Sequence, residues 1–247
     1  MTRFVRALCI ASAFAVASPA YGQENSGNGF LFHTPTVTFT LTGGYAMPTA
    51  SSDIYSQFRQ DLTLNQRSFD AFNVAGELAF RLTARTDVVV SVAYAGADKP
   101  SEFRHWTDNL DLPIQQHTSL ARWPVTVGAK YYLTGRGRSL GDFAWVPARY
   151  SVFVGAGAGL MGYKFHQEGD FIDSKSLHVF HDSFNTEGWT PTGYAGGGMD
   201  YTLSPKWALT TELKYHIASG DQGTSFVGFN RIDLSGLNAS VGFTVRY

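Results

Sequence analysis

Gly236-Leu-Asn-Ala-Ser-Val-Gly-Phe-Thr-Val-Arg-Tyr247 is the stretch that decides the fold. Leu237, Ala239, Val241, Phe243, Val245 and Tyr247 share one face of a period-2 strand, and Asn238, Ser240, Gly242, Thr244 and Arg246 share the other. One side is apolar and the other polar. A final strand normally leaves an open sheet edge, and in lipid an edge is forbidden because its backbone groups find no partner. Pairing of the last strand with the first removes that edge, so a closed barrel is expected.

Seven further segments carry the same alternation. The first, residues 36–47, sets Val37, Phe39, Leu41 and Tyr45 against Thr36, Thr38, Thr40 and Thr42; the second sets Phe72, Val74, Leu78, Phe80 and Leu82 against Asn73, Glu77 and Arg81. Val88 to Tyr94, Trp123 to Leu133, a stretch from Tyr150 through Leu160, a weakly alternating one ending at Leu203, and Trp207 to Ile217 complete the set. The connections alternate long and short. Four long polar loops are placed at 48–70, 98–120, 164–188 and 218–233, with tight turns at 83–86 and 204–206 and an irregular connection at 134–149. The expected fold is all-β: an eight-stranded antiparallel up-and-down transmembrane β-barrel over 36–247, preceded by an N-terminal signal peptide and a periplasmic lead-in at 23–35.

The leader is residues 1–22. Arg3 and Arg6 precede the apolar run 7–17, and Ala20 and Gly22 supply the small residues before a cleavage site. The single cysteine, Cys9, lies inside that run, so the mature chain is expected to carry no disulfide or thiol chemistry. Charged residues make up 16% of the 247 positions and aromatics 15%, with 26 glycines, a balance that disfavours a soluble enzyme and suits a membrane barrel.

Alternation alone does not say which face points outward, but size does. An eight-stranded barrel has an interior that side chains just fill. The apolar face is bulky and the polar face is mostly Gly, Ala, Ser, Thr and Asn, so the polar face is assigned inward. Aromatics gather at both ends, with Tyr45, Phe72, Tyr94, Trp123, Trp189 and Tyr215 near the loops and Tyr132, Tyr150, Tyr201, Trp207 and Tyr247 near the turns. Two girdles match the two interfaces of a bilayer.

The inward face carries Glu77, Arg81, Lys130, Glu212, Lys214, His216 and Arg246. Buried charges persist when paired, so these seven are expected to form a structural polar network in the lumen rather than a conducting path. Gly157, Gly159 and Gly162 spell a formal G-x-G-x-x-G, but no helix follows it, and strand glycines making room in a narrow lumen explain the run. His166, His178, His181 and Asp182 are metal-competent types in the third loop, read here as solvated loop residues, and no metal or cofactor is expected. The four loops hold fourteen acidic and seven basic residues, an acidic rim that should repel nucleic acid.

The run Gly196-Gly-Gly-Met-Asp-Tyr-Thr-Leu-Ser-Pro-Lys-Trp-Ala-Leu-Thr-Thr-Glu-Leu-Lys-Tyr215 resembles the superfamily of small outer-membrane barrels related to the outer-membrane protein A transmembrane domain and the opacity-type proteins. That resemblance implies an outer-membrane location, contact with lipid and lipopolysaccharide, insertion by the barrel-assembly machinery through the C-terminal strand, and a monomer. It implies no particular activity. Tyr215-His-Ile-Ala-Ser-Gly220 and Ser235-Gly-Leu-Asn238 are similar to segments of lipid A deacylase barrels, which use a His, a Ser and an acidic residue for ester hydrolysis. In that family the serine sits two places after the histidine. Here that place is Ala218, with Ser219 one position late, and His216 falls on the inward face. A non-catalytic structural or surface-interaction role is therefore expected, with a deacylase-like esterase or a narrow pore as the alternatives.

Overall fold

The computed structural model describes residues 29–108, 110–141, 143–172, 178–223, 226 and 228–247; the leader and the first part of the lead-in lie outside the described residues. In chain order the elements are β1 (Val37–Pro48), α1 (Asp53–Asp61), a 3-10 turn (Gln66–Phe69), β2 (Ala71–Arg81), β3 (Thr86–Thr107), β4 (Pro113–Tyr132), β5 (Gly137–Ser139), β6 (Trp145–Pro147), β7 (Tyr150–Ile172), β8 (Val179–Thr202), β9 (Trp207–Gly220), β10 (Ile232–Asp233) and β11 (Gly236–Arg246). Among the described residues, eight of these strands pair in the ring β1-β2-β3-β4-β7-β8-β9-β11, all antiparallel. The last strand closes onto the first from Thr38↔Arg246 to Pro48↔Gly236, so neither has a free edge.

The pleat sends the apolar set outward. Leu41, Val127, Leu213 and Phe243 are each more than half exposed, at 53%, 54%, 55% and 52%, whereas Thr40, Thr126, Thr210 and Thr244 on the opposite face are buried. A continuous apolar belt of this kind around a barrel is unsuited to water and suited to hydrocarbon. No described helix is long and apolar enough to cross a membrane; the crossing is made by strands. At the loop end Trp123 and Trp189 meet edge to face with centroids 6.1 Å apart.

Three expectations need correction. The segments 98–120 and 164–188 are mostly strand: β3 pairs β4 as far as Thr107↔Pro113, and β7 pairs β8 as far as Ile172↔Val179. Once past the bilayer the outward residues become polar (Lys164, Glu168, Glu187), while inward ones become apolar (Tyr163, Phe165), so the period persists with its chemistry reversed. Tyr132 is not a girdle residue. It is buried in the lumen, 5.8 Å from Phe153, because its neighbour Tyr131 takes the outward position. Nor is the inward face uniformly small, since Tyr132, Phe153, Tyr163 and Tyr194 all occupy it. Glycines make room for them: a Cβ on Gly198 would come within 2.6 Å of the Phe153 ring, and one on Gly157 within 2.6 Å of Tyr194.

The first loop, polar by composition, folds into α1. Ile54, Tyr55 and Phe58 line one side and are buried, while Asp53 in the first turn and Arg59 in the last complement the helix dipole. A nine-residue helix is marginal alone, so burial of this face holds it. Asn65 and Ser68 then cap the 3-10 turn reciprocally, each side chain accepting from the other's backbone N–H at 3.1 Å.

Candidate functional site: a lumen closed along its length

At the turn end the barrel is stoppered by a side structure. The β5–β6 hairpin buries Trp145, whose backbone exchanges two 2.8 Å hydrogen bonds with Leu31 of the lead-in. Above it a chain of hydroxyls crosses the lumen. Thr40 and Thr244 are 2.7 Å apart, Thr244 and Thr210 are 2.6 Å apart, and Thr210 donates to Asp200 at 2.7 Å. Arg246 donates to Thr202 at 3.1 Å. Asp87 accepts twice from Arg136, at 2.8 and 2.7 Å, and the Arg136 guanidinium lies 4.4 Å over the Tyr132 ring.

The middle layer is ionic. Glu77 bonds the Lys130 ammonium through one oxygen and lies 3.6 Å from Lys214 through the other, while Lys214 reaches Glu212 at 3.1 Å. Lys130 sits 4.3 Å over the Phe153 ring and Lys214 4.8 Å over Tyr194, so each ammonium group also faces one aromatic ring. Of the seven expected lumen residues, Glu77, Lys130, Glu212 and Lys214 are thus brought together. Arg81 is set apart at the turn end, donating to the Thr83 carbonyl at 3.3 Å, and Arg246 contacts hydroxyl rather than carboxylate. His216 is buried one level higher, its ring 5.7 Å from Tyr194. Asp87, Arg136, Asp200 and, just beneath the loop end, Arg122 also belong to the polar lumen and were not singled out in the sequence. Arg136 lies in the connection after β4 and Asp87 at the start of β3, where alternation is weakest as a guide.

The loop end is closed by an apolar cap. Ile54, Tyr55 and Phe58 of α1, Leu62, Leu64 and Phe69 from the same loop, and Phe226, Ile232 and Leu234 from the last loop pack onto Leu120, Met161, Tyr163 and Phe165 of the extended strands. Two carboxylates fasten it. Asp53 accepts from the backbone and side-chain nitrogens of Asn230, both at 2.9 Å; Asp233 accepts from Ser51 N and Oγ at 3.1 and 2.7 Å and from Ser235 N at 3.0 Å.

The Asn230 bonds hold Asp53 below the ordinary carboxylate range, and at Asp233 burial pushes upward but the Ser51 and Ser235 bonds outweigh it. A depressed native pKa gives stability that is complete above the unfolded value of 3.8 and is lost as pH falls through the native value. The cap is therefore expected to loosen below pH 3.8 while the barrel stays closed. Amide exchange should quicken in 49–69 and 229–235 and not in β1 or β11; uniform acceleration would show that the carboxylates do not latch the cap.

His166 and His181 do not converge. His166 lies 3.4 Å from Glu168, and His181 3.0 Å from Asp170. Among the described residues no group of three or more His, Cys, Asp or Glu side chains is placed to hold a metal.

A closed antiparallel barrel of eight strands with an apolar belt outside and paired charges inside is built to cross a membrane with its strands. No protein-family model and no curated protein matches the chain. Among solved structures it is similar to Neisserial surface protein A (NspA), at 12% identity over 87% of this chain and 98% of that one, with a TM-score of 0.48. It is also similar to the outer membrane protein OprG from Pseudomonas aeruginosa, at 15% identity over 88% and 99% with a TM-score of 0.46. A major outer membrane protein from Thermus thermophilus aligns at 10% identity over 85% and 99%, with a TM-score of 0.43. Likeness at this distance says nothing of activity.

Proposed function

We propose that the protein is a non-catalytic, monomeric outer-membrane barrel whose lumen is a structural core and whose cap is a rigid surface for interaction at the cell exterior, supporting envelope integrity. One observation carries this: side chains fill the lumen from the Trp145 hairpin through the Glu77–Lys130–Lys214 layer to the cap over Phe165. A path blocked by dry ion pairs and then by packed aromatics does not pass solutes. In planar bilayers the refolded protein is expected to produce no single-channel steps; reproducible steps of one amplitude would establish the narrow pore instead.

His216 bears on the esterase alternative. It is buried inside the barrel against Tyr194, so a lipid acyl chain in the bilayer does not reach it. On this proposal lipid A from expressing and non-expressing cells carries the same acyl chains. Assembly is assigned to the C-terminal strand, and the acidic loops disfavour nucleic acid.

A further inference from the structure

At the turn end, every fully exposed charged side chain among the described residues is a cation. Arg85 in the β2–β3 turn, Arg138 in β5, Arg149 just before β7 and Lys206 in the β8–β9 turn are all exposed, and none of the four has a carboxylate in ion-pair contact among the described residues. The described acids at this end face the lumen. Asp87 takes the Arg136 guanidinium through both oxygens, and buried Asp200 accepts from Thr210 at 2.7 Å and from Tyr132 at 3.4 Å. At Tyr247 the main-chain oxygen accepts from the Thr36 and Val37 N–H groups at 2.8 and 3.2 Å. Asp142 lies outside the described residues. The turn end is therefore the reverse of the acidic loop rim, and a rim of one sign recruits the opposite one.

Depth selects the partner. The apolar belt runs right up to these cations through Leu203, Tyr150 and Trp207, all exposed. Arg149 is the residue beside Tyr150 and Lys206 the residue beside Trp207, and one strand residue advances about 3.3 Å. The headgroup layer is about 5–8 Å thick on each side, from a hydrocarbon core of about 30 Å in a bilayer of about 40–45 Å. Both charges therefore fall among headgroups rather than in the aqueous space beyond. Arg149 is fastened to the outer wall: its Nε and Nη2 donate to the Tyr201 hydroxyl at 3.3 and 3.2 Å, and Tyr201 pairs with the outward Tyr150. One edge of the guanidinium is anchored, and Nη1 is left for a ligand. The Arg149 carbonyl accepts from Thr202 N, and Thr202 pairs with Ala208, which puts Arg149 and Lys206 on either side of the end of β8.

We propose that the turn end binds net-anionic glycerophospholipid, with the headgroup phosphate between Arg149 and Lys206 and the acyl chains along the belt beside Leu203 and Trp207. Arg85 and Arg138 add to the field that draws the headgroup in. The inference rests on the membrane placement proposed above, which makes this the inner leaflet.

Spin-labelled phosphatidylglycerol and phosphatidylcholine are the probes, each a trace component of phosphatidylcholine vesicles holding the refolded full barrel, and the motionally restricted fraction gives the association constant of each. For the wild type the anionic lipid should associate at least about fivefold more strongly, the effect of one cation near a charged headgroup. The ratio should fall toward one in about 1 M potassium chloride, where charges are screened within about 3 Å. Arg149→Gln combined with Lys206→Gln, which keeps most of the side-chain bulk, should bring it below about twofold. Equal association of the two lipids with the wild type, or an unchanged ratio in the double variant, overturns the proposal. Should the double variant fail to insert, the salt dependence of the wild type decides, and a ratio indifferent to salt overturns it. Inorganic phosphate, compared with chloride at equal ionic strength, should leave the ratio unchanged; abolition by phosphate would show a free-phosphate site and overturn the headgroup assignment. No restricted component from either lipid would overturn the membrane placement itself.

Discussion

Glu77→Ala is expected to destabilise the barrel by about 3–5 kcal/mol, the range for stranding a buried partner of an ion pair. The side chain of Glu77 is 8% exposed and that of Lys130 7%, so water does not take over the lost contact. Lys214 would keep Glu212 at 3.1 Å, but Lys130 would keep only the face of Phe153. Urea unfolding from lipid vesicles measures the effect. Replacing both Glu77 and Lys130 with methionine should recover much of the loss, because an apolar pair of similar volume carries no desolvation penalty. A shift under about 1 kcal/mol for the single variant would mean a solvated pair, and with it a lumen wet enough to conduct.

Phe165→Ala should cost about 3–5 kcal/mol by the same measure used for large core truncations, but the loss should fall on the cap alone. Phe165 is fully buried, with Phe58 stacked at 5.8 Å, Phe226 at 5.5 Å and Tyr55 at 6.3 Å, so three rings from two loops lose a shared partner. Trypsin cleavage after Arg59 and Arg67 in the first loop should accelerate by about a hundredfold or more, since each 1.4 kcal/mol of opening is tenfold. The heat-modifiable gel mobility of the closed barrel should be retained. Loss of both together would show that cap and barrel are one cooperative unit.

Much of the membrane-spanning part was legible in the sequence for a simple reason. A two-residue period is local, and wherever one face meets lipid a shift of one residue would turn every side chain the wrong way. The pairing of β11 with β1, the outward Leu41, Val241 and Phe243, and the inward Glu77 and Lys214 follow from it. The same rule misled beyond the bilayer. There Lys164, His166 and Glu168 still alternate with Phe165 and Gln167, but the outward face is now polar, so strand resembles loop by composition.

The cap was hidden differently. Ile54, Tyr55, Phe58 and Leu62 have helical spacing, a signal present in the chain, yet the segment between Ser51 and Asp70 is polar overall and nothing local says what the apolar side would cover. Its cover is Phe165 and Tyr163, about a hundred residues later.

The sequence by itself determined a closed eight-stranded barrel and which face meets lipid, because both depend on nearest neighbours along a strand and on side-chain bulk. Only the tertiary structure decided which charges meet which, that Tyr132 and Phe153 share the lumen, and that two loops seal the mouth over Arg122. Those contacts join residues that the chain holds far apart, and their partners are chosen by the shear and curvature of the closed sheet rather than by any local preference.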